Sequence, residues 1–333
     1  MNMREISPFQ LTFQEEKYYE KRFINILNMG KKRNGIVALI VVFLLVSTAG
    51  IPVACQSADG GSALKPGTIY SHNSGGEQVI AHDAGNSYSL DKEGHVIISY
   101  NKGETTVKVP LTLYPGGSNY ESGMTVDETG FYISEEKTAI AYGGFGEKPV
   151  QVLISEGMGK SWNTYTVTKE TRGSTKYIGF VTKNDGWLVL SNFHGMGSED
   201  HYIYKTADGG KTWTEVVGNA NDVYTRVLTG AGFANDDIGF LSFRYDTDFQ
   251  PAILVTQDGG LSWTVLNIKL PENFDTYSKT PLSPVFEGAN GLFPILLSKD
   301  GASNVIGTIY LTSDNYGKTW VYNKAFDSLK SGN

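Results

Sequence analysis

Two acidic pairs and two histidines are the residues of this chain whose types could do chemistry. Glu199-Asp200 and the carboxylates of Asp246 and Asp248 could supply a proton donor and a base, the pairing glycoside hydrolysis uses. Nothing in their spacing singles out such a pair. His194, Glu199, Asp200 and His201 lie close together, but their intervals match no known ligand pattern, and an exposed acidic loop accounts for them without a metal. Gly143-Gly144-Phe145-Gly146 is a hairpin glycine cluster that opens no helix, so it is no phosphate loop. There is no serine elbow, and the one cysteine, Cys55, lies near the N-terminus. No cofactor and no metal is expected.

The elements that must position these groups are announced by a repeat. Thr206-Ala-Asp208-Gly-Gly210-Lys-Thr212-Trp213 and Thr256-Gln-Asp258-Gly-Gly260-Leu-Ser262-Trp263 share one pattern. Ser155-Glu-Gly157-Met-Gly159-Lys-Ser161-Trp162 has Gly in the Asp position, and Ser313-Asp-Asn315-Tyr-Gly317-Lys-Thr319-Trp320 has Asn. A weaker copy, Ser99-Tyr-Asn101-Lys-Gly103-Glu-Thr105-Thr106, lacks the Trp. The copies start 56, 51, 50 and 57 residues apart, a period that marks a propeller or an array. An alternating apolar run precedes each of the four Trp-bearing copies, a second follows in at least three of them, and two more lie upstream. Four short strands per unit make one propeller blade, and five units fill the length. A sixth blade would need 114–126 to be structured, which its Gly, Ser and Asn content argues against. The expected fold is all-β, a propeller of five, at most six, four-stranded blades over 68–333, with no α-helix of any length. An extra strand at Thr68-Ile69-Tyr70 could help close the ring.

In each copy, Asp or Asn accepts backbone amides across the hairpin between the third and fourth strands, and Gly supplies a positive φ. Trp buries its ring between neighbouring blades. Four of the five Trp belong to these copies, so most of the indole is structural. The copies resemble the Asp-box, or bacterial neuraminidase repeat. Gly179-Phe-Val-Thr-Lys-Asn-Asp-Gly-Trp187 is also similar to photosystem II stability/assembly-factor-like propellers. The resemblance covers roughly 76–325. It implies a propeller but little chemistry, because enzymes and binding proteins share the motif.

With the repeated turns on one face, the opposite face carries the loops 142–148, 191–201, 244–250 and 298–305, together with 114–128, 168–175, 218–227 and 268–282. Tyr114, Tyr120, Phe145, Phe193, Tyr224, Tyr245, Phe274 and Tyr277 fall there, with His194, Glu199, Asp200, Asp246 and Asp248. Aromatics offer flat surfaces to sugar rings or protein side chains, so this face is the expected binding surface. A sialidase-like chain would carry three arginines clamping a carboxylate, the first in Arg-Ile-Pro, with a Tyr-Glu nucleophile pair and an Asp. The body has three arginines, Arg172, Arg226 and Arg244, all at or near that face. No Arg-Ile-Pro occurs, and the first blade has no arginine. A non-catalytic binding or assembly scaffold for a surface or secreted protein, or a glycan, is therefore the expectation. The alternative is a sialidase-type exo-glycosidase.

The N-terminus gives an address. Lys31-Lys32-Arg33 precedes a stretch without charge from Asn34 to Ala54, then Cys55. Basic cluster, apolar run and small residues form the order of a secretory signal, and the cysteine resembles a bacterial lipoprotein's lipidation site. Retention as a membrane anchor or ordinary cleavage near Ala49 or Ala54 are the other readings. All three put the body outside the cytoplasm, held to the membrane only through this end. Residues 1–28 are too long and charged for a signal's start, so Met29 is the expected initiator, with a cytoplasmic extension as the alternative. Residues 56–67 read as a flexible tether. Residues 1–55 hold seven basic and four acidic side chains, leaving 21 against 31 and a net charge of −10 on the body. Such a body repels phosphate backbones, so no nucleic-acid partner is expected.

Overall fold

The computed structural model describes residues 70–74, 77–81, 85–90, 95–112, 114–115, 125–173, 175–244, 251–299, 304–324 and 327–329. Cys55, the signal stretch, the tether, Tyr120, Tyr245, Asp246 and Asp248 lie outside them. The first sheet holds β1 (Tyr70–Ser74), β2 (Glu77–Ala81), β3 (Ser87–Leu90), β4 (His95–Tyr100) and β5 (Thr105–Thr112). The second holds β6 (Tyr114–Pro115), β7 (Thr125–Ile133), β8 (Lys137–Gly143), β9 (Val150–Glu156) and β10 (Ser161–Thr168). In the third are β11 (Thr175–Phe180), β12 (Gly186–Gly195), β13 (Ser198–Thr206) and β14 (Thr214–Val216). A four-residue helix, α1 (Ala220–Val223), leads to the fourth: β15 (Leu228–Phe233), β16 (Gly239–Phe243), β17 (Ile253–Thr256) and β18 (Thr264–Val265). The fifth contains β19 (Ser278–Pro281), β20 (Val285–Glu287), β21 (Asn290–Ser298), β22 (Val305–Ser313), β23 (Val321–Tyr322) and β24 (Ser328–Leu329).

Each sheet is built on an antiparallel meander of consecutive strands, and the five are blades of a β-propeller. Three details depart from expectation. The extra strand starts at Tyr70 and pairs with β2, so it belongs to the first sheet's edge. Tyr114–Pro115 pairs in parallel with Thr125–Val126 and widens the second sheet without adding a blade. In the fifth sheet β19 and β20 both pair with β21, so part of 268–282 is strand. Pro281 and Pro284 flank that break, where a residue without an N–H cannot continue a ladder.

Among the described residues the core forms four seams, one between each pair of successive sheets. Strands β8, β15 and β16 are buried along their whole length, because both faces meet a neighbouring blade. Each repeated turn joins a sheet's last long strand to its outer one and plugs the seam toward the preceding blade. Position four has positive φ in all five copies: Lys102, Met158, Gly209, Gly259 and Tyr316, at 58°, 58°, 79°, 76° and 61°. The glycine that follows does two jobs. At Gly159 a Cβ would come within 2.7 Å of Val107, and at Gly317 within 2.5 Å of Phe240, each on the preceding blade. The tryptophans are less uniformly buried than expected. Trp263 is 1% exposed, whereas Trp162, Trp213 and Trp320 are half-buried at the seam edge.

The turn chemistry recurs at Asp208, Asp258 and Asn315, whereas Asn101 of the first copy donates to the Met158 sulfur at 3.5 Å. Asp208 accepts from the amides of Lys211 and Thr212, both at 2.9 Å, and from the Thr212 hydroxyl at 2.7 Å. The Gly210 amide donates to the Thr206 hydroxyl at 2.9 Å, and the Trp213 indole to the Gly210 carbonyl at 2.9 Å. Asp258 repeats the carboxylate contacts with Ser262, while Asn315 accepts the Thr319 amide at 3.0 Å and donates from Nδ2 to the Thr319 hydroxyl at 2.8 Å. Burial pulls the Asp208 carboxyl upward, but donors from Thr212, Thr206 and Lys211 outweigh it and hold it at about 2. A depressed carboxyl stabilises the fold above its unfolded value and loses that contribution as pH falls toward about 2. Asn315 already makes the amide contact without titrating. Asp208→Asn should therefore fold and lose part of the acid sensitivity between pH 4 and about 2. Asp208→Ala should be less stable across the range, measured by thermal unfolding at neutral and low pH.

Candidate functional site

Within each sheet the repeated turn and the hairpin preceding it lie at opposite ends, so the expected binding face is the end away from the turns. Among the described residues this end carries the hairpin of β12 and β13. Asn192 pairs with Asp200, Phe193 with Glu199 and, after a bulge, Gly195 with Ser198. Residues 191–201 are thus strand rather than loop. The tip Gly195-Met196-Gly197 has φ of 101°, 53° and 76°, and Met196 is 99% exposed with Phe193 beside it on the ribbon.

The hairpin is braced by the connection from β14 to β15. Ser198 bridges Arg226, and its hydroxyl donates to the Thr225 carbonyl at 3.1 Å. The Arg244 Nη2 lies 2.2 Å from where a Cβ on Gly197 would sit, so a larger residue there would push the guanidinium aside. Arg244 is also tied by its amide to the Val227 carbonyl at 2.9 Å. Arg226 is exposed and Arg244 half-buried, and both border the hairpin tip.

Two groups read as surface chemistry are internal. Glu199 is 2% exposed, and its carboxylate accepts the Leu228 amide at 2.9 Å. His201 is 3% exposed, its amide donating to Asn221 Oδ1 at 2.8 Å. Its ring nitrogens lie 3.1 Å from Asn221 Oδ1 and 3.1 Å from the Arg226 carbonyl. The ring meets Phe243 edge-on at 5.0 Å. Burial lowers the His201 pKa to about 4, against the opposing pull of Arg226, Asn221 and Asp200. His201 and Glu199 are therefore braces for the segment carrying Arg226. Phe274, expected on the loops, is buried against Tyr322.

On the outer side, His194 Nε2 and Asp200 Oδ2 are 2.7 Å apart and both solvent-exposed. Arg172 stands away from the other two arginines. Its Nη1 donates to both Glu215 oxygens at 2.9 Å and to the Tyr204 hydroxyl at 3.3 Å, and its guanidinium lies over the Tyr202 ring at 3.9 Å. The structure thus brings together Phe193, Met196, Arg226 and Arg244 and leaves Arg172 in an ion pair on the third sheet. Met196 and Asn221 were not signalled by their types. Among the described residues, no three His, Cys, Asp or Glu side chains gather as a metal-binding group. No described helix is long and apolar enough to cross a membrane.

No family model matches the chain, and no curated protein sequence matches it. Solved structures do overlap with it. YCF48 bound to D1 peptide is 12% identical, with 83% of this chain and 89% of that chain covered and a TM-score of 0.37. The Niastella koreensis GH74 enzyme is 17% identical, covering 80% of this chain and 38% of its own, TM-score 0.40. The NanB sialidase of Streptococcus pneumoniae is 12% identical, covering 74% and 41%, TM-score 0.39. The fold assignment rests on the five sheets and their repeated turns.

Proposed function

We propose that this chain is an exported, lipid-anchored β-propeller of the Asp-box type, acting as a non-catalytic binding or assembly scaffold at the cell surface. The partner is a surface or secreted protein, or a glycan, held on the face around the β12–β13 hairpin. The observation that carries this reading is the exposed Phe193–Met196 tip beside Arg226 and Arg244, on a ribbon braced from beneath. Exposed apolar groups flanked by guanidinium groups form a recognition patch, and a braced one loses little entropy on binding. Arg172 favours a scaffold over a sialidase-type hydrolase, since its guanidinium is committed to Glu215. Lipidation at Cys55 supplies the anchor, and the basic cluster at Lys31–Arg33 sets the orientation.

The test uses the intact protein. Phe193→Ala with Met196→Asp should change stability by no more than about 0.5 kcal/mol, as for exposed sites, while surface pull-downs lose their partner. Arg226→Ala or Arg244→Ala alone should keep most affinity. Fluorogenic sialosides and other aryl glycosides should show no turnover; turnover abolished by Arg226→Ala would make this a hydrolase. Cys55→Ser should release the protein from membranes into the soluble fraction; retention there would overturn the lipid anchor.

A further inference from the structure

At the propeller axis, a cavity of about 300 Å³ lies between the inner strands of sheets two to five. Its exposed rim, Asp236, Gly288 and Tyr316, belongs to the end where the repeated turns lie, away from the arginine-bearing face. The walls include Phe131, Phe180, Phe233 and Phe286, one from each of the four inner strands, and Trp187.

Three features give this cavity a chemical preference. The first is that the surrounding phenyl rings already hold ammonium groups. Lys137 Nζ lies 4.5 Å from the Phe180 centroid and donates to the Gly209 carbonyl at 2.6 Å. Lys205 Nζ lies 5.0 Å from the Phe233 centroid and donates to the Asp236 carbonyl. The second is charge. The turns between first and second strands at this end carry Glu135, Glu136, Asp185, Asp236 and Asp237 against Lys183. The repeated turns add Glu104, Glu156, Asp208, Asp258 and Asp314 against Lys102, Lys160, Lys211 and Lys318, so the end stays net acidic even with Lys137 and Lys205. Such a field concentrates cations at the mouth. The third is Tyr316. Its φ of 61° places an aromatic ring at the rim where sheets three and four use Gly209 and Gly259. Lys102 and Met158 hold the same conformation in sheets one and two, so it is the ring at the rim, not the backbone, that marks Tyr316.

We propose that the axial cavity binds a small organic cation with an apolar body, its charged head at the rim beside Asp236 and Tyr316 and its body among the phenylalanines. Burial, then repulsion from Asp185, raises the Asp236 carboxyl above its ordinary range, against the pull of the Lys205 ammonium. An incoming cation relieves that penalty. A volume near 300 Å³ stands at the lower end for small-ligand sites, so one ring with a short arm fits the description.

Benzylamine, titrated calorimetrically into the full-length protein, tests the assignment, with benzyl alcohol and phenylacetate as neutral and anionic counterparts. Saturable binding of benzylamine alone is expected, quenching or shifting Trp187 emission. Asp236→Asn and Tyr316→Gly should each weaken it about tenfold. Tyr316→Gly installs the residue that two sister turns use, so it should melt no lower than the parent and separates loss of binding from loss of fold. Absence of saturation, equal binding of benzyl alcohol or phenylacetate, or full affinity in both folded variants would overturn the assignment. None of these results touches the arginine-bearing face, which lies at the other end of the sheets.

Discussion

Trp263→Ala should cost about 3–5 kcal/mol of stability, the range for deleting a fully buried aromatic. The ring lies in the seam between the third and fourth sheets, packed with Val189, Ile203, Leu228, Leu241 and Leu254. It meets Phe233 edge-on at 6.2 Å, and its indole N–H donates to the Gly260 carbonyl at 2.9 Å. Its amide is bound by Asn219 Oδ1 at 2.7 Å, which ties the turn to the connection leaving the third sheet. Removal therefore opens a cavity and unpins two blades at once. Trp213→Ala should cost roughly half as much, because that ring is half-buried and part of its area stays wet. Conservative exchange sharpens the contrast. Trp320 Nε1 has no hydrogen-bond partner among the described residues, so Trp320→Phe forfeits no bond, whereas Trp263→Phe does. Chemical denaturation of the four variants measures this, and equal midpoints for Trp263→Ala and the parent would refute the seam placement.

The second large effect is on acid stability. His201 has its pKa lowered from 6.5 to about 4 in the fold. Between those values the unfolded chain binds a proton that the native chain rejects, so stability rises with pH across the window. The contribution is complete above pH 6.5 and falls away as pH drops toward 4, on the order of 3 kcal/mol in all. His201→Gln keeps an N–H donor for Asn221 Oδ1 or the Arg226 carbonyl but does not titrate. Its stability should be lower than the parent's at pH 7 and nearly flat from 6.5 to 4. A parent-like slope in the variant would place the acid-sensitive group elsewhere. Binding through Arg226 and Arg244 should hold down to about pH 4, where the ring of the folded chain itself becomes charged beneath the segment that presents them.

The blades were legible because the turn motif is local. Thr206, Asp208, Gly210 and Trp213 satisfy one another within eight residues, so their spacing alone states the geometry. The hairpin at 191–201 was not. A projecting ribbon is solvated on parts of both faces, so the alternation that marks a strand disappears into Asn192, His194 and Asp200. The burial of Glu199 and His201 depends on residues some 20 to 30 positions onward, Asn221 and Leu228, and no periodicity reports that. The axial cavity is further still from local pattern. Its wall draws on residues from Thr129 to Tyr316, each of which reads as ordinary strand or turn.

The division of the core into four seams has a kinetic consequence. Nearly every strand pairs with its immediate neighbour in the chain, so hairpins can close before any distant contact forms. A seam, by contrast, requires two finished meanders. Assembly should therefore advance blade upon blade, each completed sheet serving as the template for the next. Unzipping should run the other way, from the first or fifth sheet, each of which shares one seam among the described residues, inward to those that share two. Pulled from its ends, such a chain would yield in steps of about one repeat rather than in a single break.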